Sequence, residues 1–252
     1  MKELIDSIDD EEIPGYVVER IRRPTPADCF VLPGSTPVVA FGDVRHAHVA
    51  TLGLNPSRVE FKEPGMELDG PLRRFETLQS LGVARLEDAS DDAVLTVWRR
   101  CNDYFRGNPY KKWFDPLEKV LLAAGASYFD DTACHLDLSQ WATDPTWSGL
   151  PAVVRKRLTS EDVEFLLTQL KSERIALLLL NGRAVVDTFR SVLKGQLESV
   201  GTIADRTVTT KFYVGTFGNA RVVGWSTNLQ SSFGVTKELR SQLAQRVAEL
   251  AS

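Results

Sequence analysis

V-A-T-L-G-L-N-P-S-R-V-E-F, residues Val49 to Phe61, decides how the rest of the chain is read. Val49 to Leu54 is an apolar run with the length and composition of a buried strand, and Gly53, Asn55, Pro56 and Ser57 then turn the chain sharply. A polar amide is thereby presented at a strand's carboxyl end. In an open α/β sheet ligands bind at that edge, because the backbone diverges there and the following loops enclose a crevice. The letters G-L-N-P-S also spell an ordinary turn, since Asn-Pro and Gly are common turn formers.

Working outward, the same grammar recurs. Ile175 to Leu180 is the clearest buried parallel strand and stops at Asn181-Gly182; Thr132 to Leu136 delivers Asp137; Arg221 to Trp225 delivers Ser226-Thr227-Asn228. Thr207 to Val214 reads as a further strand, and Pro37 to Phe41 with Ala47 to Leu54 suggests a hairpin-like entry around Gly42-Asp43. Helices are expected from Tyr16 to Arg23, Pro71 to Gly82, Ser90 to Phe105, Trp113 to Ala124, Ser160 to Lys171, Ala184 to Leu193 and Thr236 to Leu250. The 71–82 segment repeats apolar residues at Leu72, Phe75, Leu78 and Leu81, and Ser160-Glu161-Asp162 reads as a helix cap. Strands alternating with helices predict a parallel sheet, which brings Asn55, Asp137, Asn181 and Asn228 to one edge.

At 252 residues and 43% hydrophobic content the chain can bury a full core, and a single domain over 1–252 with an acidic lead-in over 1–36 is expected. No apolar run reaches a membrane span, and the opening M-K-E-L-I-D-S-I-D-D-E-E lacks the basic start and apolar centre of a signal peptide, so a cytoplasmic location is expected. Cys29, Cys101 and Cys134 are far apart, form no C-x-x-C half-site, and suit a reducing compartment. His46 and His48 share a strand face without a nearby acidic or cysteine partner, which favours surface or packing roles over a metal site. A net charge of −4 argues against a protein that coats DNA indiscriminately, whereas a few cations suffice for an enzyme that touches a handful of phosphates. The deaminase pattern H-x-E with P-C-x-x-C and the nucleotide-hydrolysing G-x-x-x-x-G-K-[ST] loop are both absent.

Gly53-Leu54-Asn55-Pro56-Ser57 resembles the first active-site motif of the uracil-DNA glycosylase superfamily, in the form of its mismatch-specific branch, where Asn replaces the catalytic Asp of the classical uracil enzymes. W-S-T-N-L-Q-S-S-F-G-V, Trp225 to Val235, occupies the place of the second motif; Asn228 matches its first position and both prolines are missing. The resemblance implies a three-layer α/β/α sandwich around a central, mainly parallel four-stranded sheet. It implies a monofunctional DNA glycosylase that hydrolyses the N-glycosidic bond of a flipped pyrimidine to leave an abasic site, as a monomer acting on DNA, with no cofactor, metal or iron–sulfur cluster. Asn55 would orient the water through its amide oxygen, and Asn228 would donate to the base carbonyl or a phosphate. Gln230, Ser231, Ser232 and Arg183 would contact the DNA backbone, and Phe233 would be the apolar wedge that fills the vacated stack.

The base pocket is expected from Ser57, Asp137, Asn181 and a stacking aromatic, with Phe61 first and Trp141 or Phe75 as substitutes. In classical uracil enzymes a Tyr stands where Ser57 stands here and walls off carbon 5 of the base; Ser57 leaves room for a substituent. Asp137 falls where several family members read the pyrimidine edge with Asn, and a carboxylate accepts without donating, which suits the amino group of cytosine. Asp137 serves equally as a cap for its loop. An open carbon 5 and an amino-reading carboxylate point to a modified cytosine. Resemblance to bacterial members of the superfamily that excise bulky modified cytosines from phage DNA implies a C5-modified, glucosylated hydroxymethyl cytosine removed in antiviral defence. The alternatives are repair of uracil or mispaired bases, and a catalytically inactive nucleic-acid-binding module.

Overall fold

In the computed structural model, residues 12–63, 66–172, 174–206, 208–231 and 234–251 are described. The apolar runs form β1 (Val49–Gly53), β4 (Ala133–Asp137) and β5 (Leu177–Asn181), each buried at every position, and β8 (Ala220–Trp225), buried at all but Arg221. Burial on both faces is what a parallel sheet covered by helices requires. β2 (Lys62–Glu63) pairs antiparallel with β3 (Met66–Glu67), while β6 (Leu197–Asp205) and β7 (Val208–Phe217) extend the main sheet, whose order is β4-β1-β5-β8-β7-β6. β4, β1, β5 and β8 run parallel, and β7 and β6 continue antiparallel. The molecule is therefore α/β with a mixed, mostly parallel sheet of six strands among the described residues, larger than the expected four.

Alternation along each strand divides the core. Val49, Leu177, Leu179, Val223 and Trp225 pack with α1 (Gly15–Ile21), α3 (Asp91–Asn102), α4 (Lys111–Ala123) and α7 (Lys237–Ala251). Ala50, Leu52, Leu178, Leu180 and Val222 point the other way, onto α5 (Ala152–Ser172) and α6 (Arg183–Val192). Fully burying such a side chain contributes roughly 1.5–3 kcal/mol, so the two faces hold the sheet in place from opposite sides.

Several expectations are corrected. Pro71 to Gly82 is not one helix: only α2 (Leu78–Leu81) is helical, after a short 3-10 turn at Gly70–Leu72. The backbone instead pairs with residues 34–36, through Thr36 Oγ1 to the Glu76 carbonyl and Leu78 N–H to the Gly34 carbonyl, and Thr77 with Ser80 forms a capping box. Val38 to Phe41 lies along β4, exchanging hydrogen bonds between Phe41 and His135, and so forms no hairpin with β1. Ser160-Glu161-Asp162 is interior to α5, where Ser160 Oγ donates back to the Arg157 carbonyl. His46 sits in a turn with its Nδ1 2.9 Å from Asp43 Oδ2, and no group that could hold a metal occurs among the described residues. Nor is any described helix long and apolar enough to cross a membrane.

Candidate functional site

Parallel pairing puts the carboxyl ends of β4, β1, β5 and β8 on one edge, and register sets Gly53 beside Asp137 and Asn181 beside Trp225. The loops that follow are stitched together. Leu138 and Ser139 N–H groups donate to the Gly53 and Leu54 carbonyls, and Gly182 and Arg183 N–H groups donate to those of Trp225 and Ser226. Gly182 has φ +98°, and a Cβ there would come within 3.3 Å of Asn228 backbone. That close approach lets the β5 and β8 loops share one wall of a cleft of about 640 Å³. Its volume suits a small-molecule or nucleotide-sized ligand, for which pockets of roughly 300–1,000 Å³ are usual.

Asn55, Ser57, Asn181, Arg183 and Asn228 all line this cleft. Asn55 is half-buried, and its Nδ2 donates to the Trp141 carbonyl at 3.0 Å and to Thr143 Oγ1 at 3.1 Å. With both amide hydrogens held by protein, Oδ1 is the atom left for a ligand or water. Ser57 caps the 3-10 turn Arg58–Glu60 by accepting from Val59 N–H. Asn181 is buried and fully committed: Oδ1 accepts from Trp225 Nε1 and Leu229 N–H, and Nδ2 donates to Gln230 Oε1 at 2.5 Å. It is thus a brace between loops. Asn228 is exposed; its Oδ1 accepts from Gln230 N–H at 2.9 Å, which turns Nδ2 outward as a donor. Arg183 stands exposed at the first turn of α6, where the helix end adds its own attraction for anions.

Other expected residues lie elsewhere. Phe61 is 5% exposed and packs on Phe75, itself buried, so both belong to the core. Trp141 is 1% exposed with Arg20 over its ring; it meets the cleft only through the carbonyl that holds Asn55. Apolar aromatics so close to a motif fell to the larger hydrophobic gain of burial. Asp137 is buried behind the cleft wall, with Oδ1 3.4 Å from His135 Nε2. Gln230 spends its side chain internally, donating to the Trp113 carbonyl at 2.8 Å. Ser231 is half-buried, its N–H donating to the Asn228 carbonyl, while Ser232 and Phe233 lie outside the described residues.

Residues that the sequence did not single out complete the walls. Trp113 and Trp147, both half-buried, supply aromatic surface, Arg155 adds a second cation, and His135 reaches the floor. Trp113 carried a readable signal: it precedes by one position the stripe Phe114, Leu117, Val120 and Leu121 that α4 buries. Below the motif, Glu60 is fully buried, accepts from Tyr104 Oη at 2.7 Å, and is pushed up to about 8 by burial. It is a neutral acid at pH 7, and holds the turn after Asn55 without adding charge to the cleft. No protein-family model matches the chain, and no curated protein matches it.

Proposed function

We propose that this cleft receives a nucleotide extruded from DNA and hydrolyses its N-glycosidic bond, leaving an abasic site. The observation that carries the reading is Asn55: an amide on the cleft wall at a parallel-strand end, anchored through both hydrogens, which leaves its oxygen as the acceptor for a ligand or water. Such an oxygen accepts a hydrogen bond from water and fixes its lone pair toward a sugar carbon, without taking the proton as a carboxylate would. Bond breaking then depends on the departing base, which Asn228 Nδ2 can assist by donating to a carbonyl oxygen. Trp113 and Trp147 offer surface on which a base can stack, and Arg155 and Arg183 line the same cleft as cations with which phosphates can pair. The motif resemblance of Gly53 to Ser57 points the same way.

Ser57 on the cleft wall supports a substrate with a substituent at carbon 5, and a bulky modified cytosine of phage DNA remains the favoured one. Asp137 lends this less support than its sequence position suggested, because it stands behind Gly53 and His135. The test is a panel of duplexes carrying uracil, thymine mispairs or glucosylated hydroxymethylcytosine, followed by alkaline cleavage of abasic sites. Strand breaks with the modified cytosine alone are expected; breaks with uracil alone would replace the defence reading with repair. Asn55→Ala should lower turnover by about 100-fold or more while retaining DNA affinity. Full biological effect in that variant would instead identify a binding module that does no chemistry, a reading favoured by the missing prolines of the second motif and the net charge of −4.

A further inference from the structure

Beneath the cleft a line of buried hydroxyls leads to an imidazole. Tyr128 Oη lies 2.5 Å from Thr51 Oγ1, which lies 2.7 Å from His135 Nδ1. Tyr128, Thr51 and His135 are 1%, 0% and 3% exposed, and the imidazole is clamped edge-on between Phe41 and Phe114. The far nitrogen, Nε2, faces Asp137 Oδ1 at 3.4 Å, and His135 lines the cleft. Gly53 makes this approach possible, since a Cβ there would fall 2.2 Å from Asp137 Oδ1 and 2.8 Å from Nε2.

The proton positions follow from counting donors. Burial drives the phenol of Tyr128 well above its ordinary range, so it keeps its hydrogen. Its oxygen meets Thr51 Oγ1, and a buried hydroxyl hydrogen needs an acceptor. Tyr128 therefore donates to Thr51, Thr51 donates to His135 Nδ1, and the imidazole carries its hydrogen on Nε2. In the opposite tautomer His135 Nδ1–H and the phenol would both donate to Thr51 Oγ1, leaving the threonine hydrogen in need of another acceptor, and a nitrogen lone pair would face the Asp137 carboxylate. At 3.4 Å the contact to Asp137 is longer than a well-formed hydrogen bond, which leaves the Nε2 hydrogen available to a second acceptor.

We propose that His135 is a specificity-determining residue of the cleft: a neutral imidazole whose Nε2–H, aimed by the Tyr128–Thr51 relay, donates to an acceptor atom of the bound base. The inference rests on the glycosylase reading for the identity of its ligand, and on the hydrogen-bond line alone for its tautomer. Thr51 and Tyr128 act as positioning residues.

Two measurements on the full chain test it. Long-range nitrogen–proton NMR of protein labelled at its three histidines reads the tautomer without any substrate, with His135→Gln assigning the signal. An unprotonated Nδ1 and protonated Nε2 near neutral pH are expected, and Thr51→Val should give a mixture; an Nδ1–H tautomer or an imidazolium overturns the proposal. On whichever duplex the wild type cleaves, single-turnover kinetics should show His135→Leu lowering the cleavage rate or raising the half-saturating DNA concentration by roughly 10- to 100-fold, with His135→Gln, which keeps a donor, partly restoring it. Thermal unfolding of each variant establishes that it is folded. Unchanged kinetics in folded His135→Leu also overturns the proposal. A panel in which the wild type cleaves nothing would remove the glycosylase reading and, with it, the base as ligand, whereas the tautomer is judged independently.

Discussion

At the scale of single residues, charge and aromatic area decide what the cleft does and when it holds together. Trp113 is half-buried and lines the same cleft as Asn55 and Asn228, and base–aromatic stacking is typically worth about 1–3 kcal/mol. Trp113→Ala is expected to weaken DNA binding by that amount, read by fluorescence anisotropy, while Phe61→Leu, a core substitution, should affect stability first. Glu60 makes the pH dependence of stability specific. Its folded value, about 8, lies above the ordinary 4.5, so the folded state keeps a proton that the unfolded chain releases. Stability from this group is complete below pH 4.5 and declines as pH rises toward 8. Glu60→Gln keeps the shape and removes the titration. It should be the more stable protein at pH 8, by on the order of 4 kcal/mol at about 1.4 kcal/mol per unit, with the gap closing toward pH 5 in denaturant melts. None of this was readable in E60 itself, since a carboxylate five residues past Asn55 looks like a solvated turn until Tyr104 arrives from 44 positions away.

At the scale of elements, legibility followed burial. β1 and β5 were plain because each is mostly apolar and buried at every position, and the edge at which Asn55, Asn181 and Asn228 gather followed from parallel pairing. β6 escaped because none of its residues is buried, its half-buried and exposed residues do not alternate regularly, and Gly201 sits at a register shift, all of which dilutes any strand period. The 71–82 stripe misled for the opposite reason. Its period was helical, but Arg74 holds the chain extended by donating to the Val59 and Asn108 carbonyls, a tertiary constraint that periodicity does not encode. Gly53 is the element-scale hinge of the site. In Gly53→Ala the new methyl would fall on Asp137 Oδ1, so a loss of about 1–3 kcal/mol in unfolding free energy is expected, with turnover falling alongside. A melting temperature equal to the wild type's would show that the β1 and β4 ends have room to spare.

At the scale of the whole molecule, one buried ion pair ties the amino-terminal helix to the far layer. Arg20 Nη2 on α1 meets Asp162 Oδ1 on α5 at 3.0 Å with both side chains out of water, and Arg20 Nε donates to Gln140 Oε1. Asp162 Oδ2 also accepts from Ser139 Oγ at 2.6 Å, so the pair grips the loop that carries Trp141 and Thr143 to Asn55. Asp162→Ala leaves a buried guanidinium without its partner and should cost about 3–5 kcal/mol, measured by urea unfolding. It should also loosen Asn55 at a distance, and lower turnover more than DNA affinity. The same tie has a consequence for synthesis. Arg20 finds its partners 120 and 142 positions later, and Val38 to Phe41 waits for β4. A polypeptide emerging from the ribosome thus leaves the α1 guanidinium of Arg20 without its carboxylate until Asp162 has cleared the exit tunnel, and a nascent chain stalled before that point would offer α1 to proteases more readily than the finished protein does.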